Sequence, residues 1–113
     1  MHLAIICHSD GSPANDGVHD ICPYPSRFLL IRQLSKGAKT DAVYASLKNL
    51  NPHLKRVYFA KDQTVKSFLG YSFAEYTSIE ACQATLALIA TLPSFSLCGR
   101  PVEITFGRDL SLS

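Results

Sequence analysis

Between Leu69 and Tyr76 the chain reads Leu-Gly-Tyr-Ser-Phe-Ala-Glu-Tyr. Taken as a strand, it sends Leu69, Tyr71, Phe73 and Glu75 to one face and Gly70, Ser72, Ala74 and Tyr76 to the other. The second set is mostly small and can pack closely beneath a sheet, which predicts that the Tyr71 and Phe73 rings stand on a solvated face. Two exposed aromatics at that spacing mark a surface that something flat will cover. Other chemistry is poorly supported. His2, His8, His19 and His53 fall in the N-terminal stretch or in a loop, and no carboxylate pair, serine or cysteine comes with a convincing base. No catalytic residue and no enzyme activity are therefore expected. Cys7, His8, His19 and Cys22 form two pairs about a dozen residues apart, but adjacent Cys7 and His8 do not suit a motif whose paired ligands are separated. No metal and no cofactor are expected.

The elements that must hold the aromatic pair can be read around it. Arg27 to Leu34 is a strand by its aliphatic content, with Leu29 and Ile31 on one face and Phe28, Leu30 and Arg32 on the other. Thr40 to Leu50 predicts a helix, with Thr40 as N-cap, Asp41 in the first turn and Val43, Leu47 and Leu50 at helical spacing. Leu54 to Asp62 suits a strand that turns Val57 and Phe59 inward and Arg56, Tyr58 and Ala60 outward; a short connection over 62–67 leads into the aromatic strand. Thr77 to Glu80 has capping-box spacing ahead of a helix from Ala81 to Leu92, which Pro93 stops. Its apolar positions run almost all round, more than one sheet face can bury. A closing strand over Leu97 to Phe106 turns Val102 and Ile104 inward and Glu103 and Thr105 outward. The predicted core is Leu29, Ile31, Val43, Leu47, Leu50, Val57, Phe59, Leu86, Ile89, Val102 and Ile104.

With 113 residues, 47% of them hydrophobic, the chain supports one domain with one core. Residues 1–26 are turn-rich and unperiodic and read as a flexible leader, residues 27–108 as the domain, and residues 109–113 as a C-terminal tail. A formal net charge of +2 is too small for a strong field, so any polyanion must be met by local arrangement. Four cysteines without a CxxC pair argue against disulfides and for a reducing, cytosolic or nuclear compartment.

The 69–76 stretch resembles the octapeptide ribonucleoprotein signature of the RNA-recognition motif, with Leu69 in the usually basic position and Ala74 in the aliphatic one. Leu29 to Leu34 is similar to the hexapeptide signature of the same family, with Leu30 in place of a stacking aromatic and Gln33 in place of Asn. Leu97-Cys98-Gly99-Arg100 resembles the Leu-x-Gly-Arg turn that leads into the family's last strand. The resemblance covers residues 27 to 108, and more loosely the chain looks like the RNA-binding-motif splicing regulators. It implies an α+β, ferredoxin-like β-α-β-β-α-β sandwich in which a four-stranded antiparallel sheet is backed by two helices and leaves one face open to single-stranded RNA. The residues so implicated are Tyr71, Phe73 and Tyr58 for stacking, Leu30 and Leu69 for apolar contact, Arg32, Arg56 and Lys61 for phosphates, and Thr105 on the same face. The implied work is RNA binding in mRNA processing or splicing in the nucleus, beside other ribonucleoprotein or spliceosomal proteins. The alternative is a protein-binding module of the same fold in a ribonucleoprotein complex, which the apolar character of Leu30 and Leu69 would suit.

Overall fold

The computed structural model describes residues 3–8, 20–35, 37–62, 68–92 and 95–110, with the backbone alone for residues 3–8, 62 and 69. In chain order the elements are Leu3–His8 (β1), Phe28–Arg32 (β2), the helix Thr40–Leu50 (α1), Leu54–Asp62 (β3), Phe68–Tyr76 (β4), the helix Ile79–Ala90 (α2), Ser96–Leu97 (β5), Arg100–Pro101 (β6) and Glu103–Phe106 (β7). The main sheet runs β1-β3-β4-β2-β7. Its four strands from β3 to β7 pair antiparallel and are backed by both helices, as the β-α-β-β-α-β pattern predicts.

Strand register follows the alternation. Leu29 pairs with Ala74 and Ile31 with Ser72 on the helix side, while Leu30 lies between Phe73 and Thr105 on the other. Leu29, Ile31, Val43, Leu47, Val57, Phe59 and Ile89 are buried between sheet and helices, and Leu50, Leu86, Val102 and Ile104 pack partly buried against them. The helices are tied together by one side chain. Asn51, just past α1, donates through Nδ2 to Ala81 O at 3.1 Å and Thr85 Oγ1 at 3.0 Å in α2. Its Oδ1 accepts the His53 amide at 2.9 Å, so its amide group is used on both sides.

Several local features differ from the sequence reading. Thr40 is the first helical residue of α1 and Lys39 the N-cap, with no side-chain cap. In α2 the cap is Ser78, whose Oγ accepts from Ala81 N at 3.1 Å, one residue later than the Thr77 to Glu80 box. That helix buries Ala81, Cys82, Thr85 and Ile89 but leaves Ile79 and Leu88 exposed, so its apolar excess stays at the surface. The closing strand is split: Cys98 and Gly99, both at positive φ, join β5 and β6 in a two-residue hairpin before β7 begins.

In place of a loose leader, two N-terminal pieces join the sheet. β1 lies parallel along the edge of β3, from Leu3 opposite Val57 to His8 opposite Asp62, giving that edge a partner. Ile21 bridges Gly107, and the Cys22 amide donates to Phe106 O at 2.9 Å. Residues 9–19, positions 63–67 of the expected connection, Pro93 and residues 111–113 of the expected tail lie outside the described residues.

Candidate nucleic-acid interface

The sheet face turned away from the helices carries four rings. Tyr58 and Leu30 flank Phe73 in the pairing, and Phe28 lies beside Glu75. Phe28 meets Phe73 edge-on at 6.5 Å between centroids and Tyr58 at 6.1 Å, while Tyr71 meets Phe73 at 6.3 Å. An arginine lies near three of these rings: Arg27 at 5.7 Å from Phe28, Arg56 at 6.0 Å from Tyr58 and Arg108 at 5.9 Å from Phe73. Those distances are within cation–π range.

Tyr71 and Phe73 are nevertheless 0% exposed, which corrects the expectation that they stand in solvent. They form a second apolar cluster with Phe28, Leu30 and Ala60, against which Tyr58 and Leu110 pack partly buried. The chain just beyond β7 lies over Phe73: Gly107 abuts its ring, Arg108 is beside it, and Leu110 packs against the cluster. Gly107 N donates to Phe28 O at 2.9 Å, Arg108 N donates to Asp20 O at 2.9 Å, and Ser26 Oγ donates to Gly107 O at 2.6 Å. A Cβ on Gly107 would lie 3.0 Å from Cδ2 and Cε2 of Phe73 and 3.1 Å from Leu30 Cβ. Only a residue without a side chain lets the backbone lie this close to the ring.

At one end of the face, buried Glu75 gathers three cations. Arg56 Nε is 3.3 Å from one carboxylate oxygen, and Arg27 Nη1 and Lys55 Nζ are 3.6 Å and 3.8 Å from the other. Tyr58 donates its hydroxyl to Glu75 Oε1 at 2.8 Å. Burial, then the bond to Glu75, raises the Tyr58 phenol above its ordinary range, so it remains a neutral donor at neutral pH. One carboxylate among three cations leaves a positive surplus at this end. Arg27 also faces Asp109 Oδ1 at 3.6 Å, and Arg108 is hydrogen-bonded to Asp20 through Nε.

Of the residues implicated by sequence, Tyr71, Phe73, Tyr58, Leu30, Arg32, Arg56 and Thr105 share this face. Arg32 is held by Glu103 at 2.7 Å, and the buried Thr105 Oγ1 has no hydrogen-bond partner among the described residues. Lys61 is a correction. Strand alternation puts Lys61 with Val57 and Phe59, and it pairs with Phe68, whose ring stacks on Phe59 at 4.4 Å on the helix side, so Lys61 points away from the aromatic face. The side chains of Leu69, Cys7, His8 and His19 lie outside the described residues. Sequence reasoning passed over Phe28, Glu75, Arg27, Lys55, Gly107, Arg108 and Leu110 as site residues. Strand alternation alone could have found Phe28, two residues before Leu30; the segment after β7 carries no periodic signal.

No protein-family model and no curated protein matches the chain. Among solved structures it is similar to the RRM3 domain of Hrb1, at 13% identity and a TM-score of 0.62, over 80% of this chain and 85% of that one. The fold is that of the RNA-recognition motif. The same RNA-recognition-motif fold relates it to the RRM of RNA15, at 15% identity and a TM-score of 0.61, over 79% of this chain and 98% of that one. It also matches the first two RRM domains of the yeast poly(U)-binding protein Pub1, at 21% identity and a TM-score of 0.60, over 73% of this chain and 47% of that one. A Sex-lethal protein in complex with RNA is matched at 16% identity and a TM-score of 0.58, over 74% of this chain and 47% of that one.

Proposed function

We propose that the domain binds single-stranded RNA across the face of Tyr58, Tyr71 and Phe73, as a module of mRNA processing or splicing in the nucleus. The observation that carries this reading is the grouping of four rings, three with an arginine beside them, on the one sheet face the helices leave uncovered. Rings of this kind stack nucleobases, and guanidinium groups beside them meet phosphates. The pathway is suggested by the two signature segments, and the RNA ligand is in keeping with a poly(U)-binding protein and an RNA complex among the structures of like fold. Each stacked base contributes about 1–3 kcal/mol. Two or three stacks make a module that works beside others.

A second reading, a protein-binding module of a ribonucleoprotein complex, is favoured by Leu30, buried in an apolar cluster where the hexapeptide signature places a stacking aromatic. Salt separates the two. Binding of a labelled single-stranded RNA pool should weaken with salt at a log-log slope of about −0.7 for each phosphate contact, with amide shifts concentrated around Arg56 and Tyr58. No binding, or a salt-independent signal with shifts confined to the helices, would count against RNA on this face.

A further inference from the structure

The rings and their cover are held by different forces. The rings are set by strand pairing deep in the sheet, whereas the cover is held by charges, a few backbone hydrogen bonds and the packing of Gly107 and Leu110 on the cluster. Arg108, beside the Phe73 ring, is bonded to Asp20; Arg27, beside the Phe28 ring, lies 3.6 Å from Asp109. Two carboxylates of the chain thus engage two arginines that adjoin the aromatic face. A carboxylate offers a guanidinium what a phosphate offers, negative charge on planar or tetrahedral acceptor oxygens, so each can replace the other. The Thr105 hydroxyl, next to Leu30 on this face, is buried without a hydrogen-bond partner among the described residues. Buried polar groups are ordinarily satisfied, and a ligand on this face would supply the missing partner.

We infer that Gly107–Leu110 is a displaceable strap over the aromatic face, latched by Asp20 on Arg108 and by Asp109 on Arg27, which single-stranded RNA opens by exchanging its phosphates for those two carboxylates. The inference rests on the RNA reading above. When the strap lifts, the Phe73 face beneath Gly107 opens for stacking, Thr105 reaches the ligand, and Arg27 and Arg108 become phosphate contacts. Closed and open states each keep both arginines paired, so the exchange costs little charge desolvation. Apparent affinity is the intrinsic affinity lowered by the fraction of molecules already open.

Two measurements on the full chain test this, using randomised single-stranded RNA of about ten nucleotides. In hydrogen exchange, RNA should strip protection from the amides of Gly107 and Arg108, bonded in the closed state to Phe28 O and Asp20 O, and leave those of Asn51 and Cys82 unchanged. In the affinity arm, Asp20→Asn with Asp109→Asn should bind about three- to tenfold more tightly than the parent, because the latch is weakened. A charge-matched control, Asp41→Asn with Glu80→Gln on the first turns of the two helices, should change affinity by less than about twofold. RNA binding with Gly107 and Arg108 still protected, or an equal gain in both double variants, overturns the strap and leaves the RNA reading intact. Binding by neither the parent nor the latch variant removes the RNA reading and the strap with it. If the latch variant unfolds, exchange on the parent decides alone.

Discussion

Gly107 and Phe73 meet so closely that a single carbon added to the glycine would lie 3.0 Å from two carbons of the ring. That contact joins the chain beyond the last strand to the middle of the aromatic strand, and with it a face of stacking residues becomes a second packed core. The closeness is steric, since Gly107 is not among the residues of positive φ.

Gly107→Ala should therefore be destabilising. Phe73 is fully buried and cannot swing aside without displacing Leu30 or Phe28, so overpacking should cost about 1–3 kcal/mol. Urea unfolding should show a lower midpoint with little change in slope. An unchanged midpoint would mean that the segment yields freely and contributes nothing to the closed state.

Both faces of β4 should be intolerant of volume change. Phe73→Ala should cost about 3–5 kcal/mol by opening a cavity. Ser72→Leu, on the helix face, should cost about 1–3 kcal/mol by overpacking. All of Tyr71, Ser72, Phe73 and Ala74 are 0% exposed, which is the basis for both values. If Phe73→Ala unfolds within about 0.5 kcal/mol of the parent, the ring is at the surface in solution.

Stability should fall on the alkaline side. Burial pushes the Cys82 thiol from 9.0 up to about 12, so the folded state holds the proton more tightly than the unfolded chain. The sign follows: this contribution is whole below about pH 9 and is lost as pH rises towards 12, at up to about 1.4 kcal/mol per pH unit. Burial raises Tyr76 and Tyr58 as well, which steepens the decline above pH 10. Chemical denaturation of Cys82→Ala from neutral pH upward should show a flatter curve between about pH 9 and 10; a curve parallel to the parent's would show that the thiol is not protected.

Cys98→Asn should stabilise the β5–β6 hairpin. Cys98 has a φ of 53° and Gly99 of 77°, the two positive angles of a turn in which Asn-Gly is the favoured pair. Relief of the left-handed strain at Cys98 should raise stability by about 0.5–1 kcal/mol, read as a higher thermal midpoint. Cys98 is exposed, so no packing is lost. A lower midpoint would locate the turn elsewhere.

The sequence by itself determined which side chains share a face. Leu29 with Ile31 beneath the sheet, Leu30 with Tyr71 and Phe73 above it, and Val43 with Leu47 on one helix stripe all follow from periods of two and 3.6, because side-chain direction is a property of the local backbone. The Leu97-Cys98-Gly99-Arg100 turn was legible for the same reason, its glycine supplying a positive φ within two residues. Only the tertiary structure decided whether the upper face would meet water. Ser26 and Gly107 bond across 81 positions of sequence, Arg108 and Asp20 across 88, and nothing periodic in either segment announces the meeting. The gathering of Arg27, Lys55 and Arg56 on Glu75 belongs likewise to distant stretches of chain meeting at one point. Alternation states the direction of a side chain; what covers it depends on where distant chain passes, and that is set by the packing of the whole.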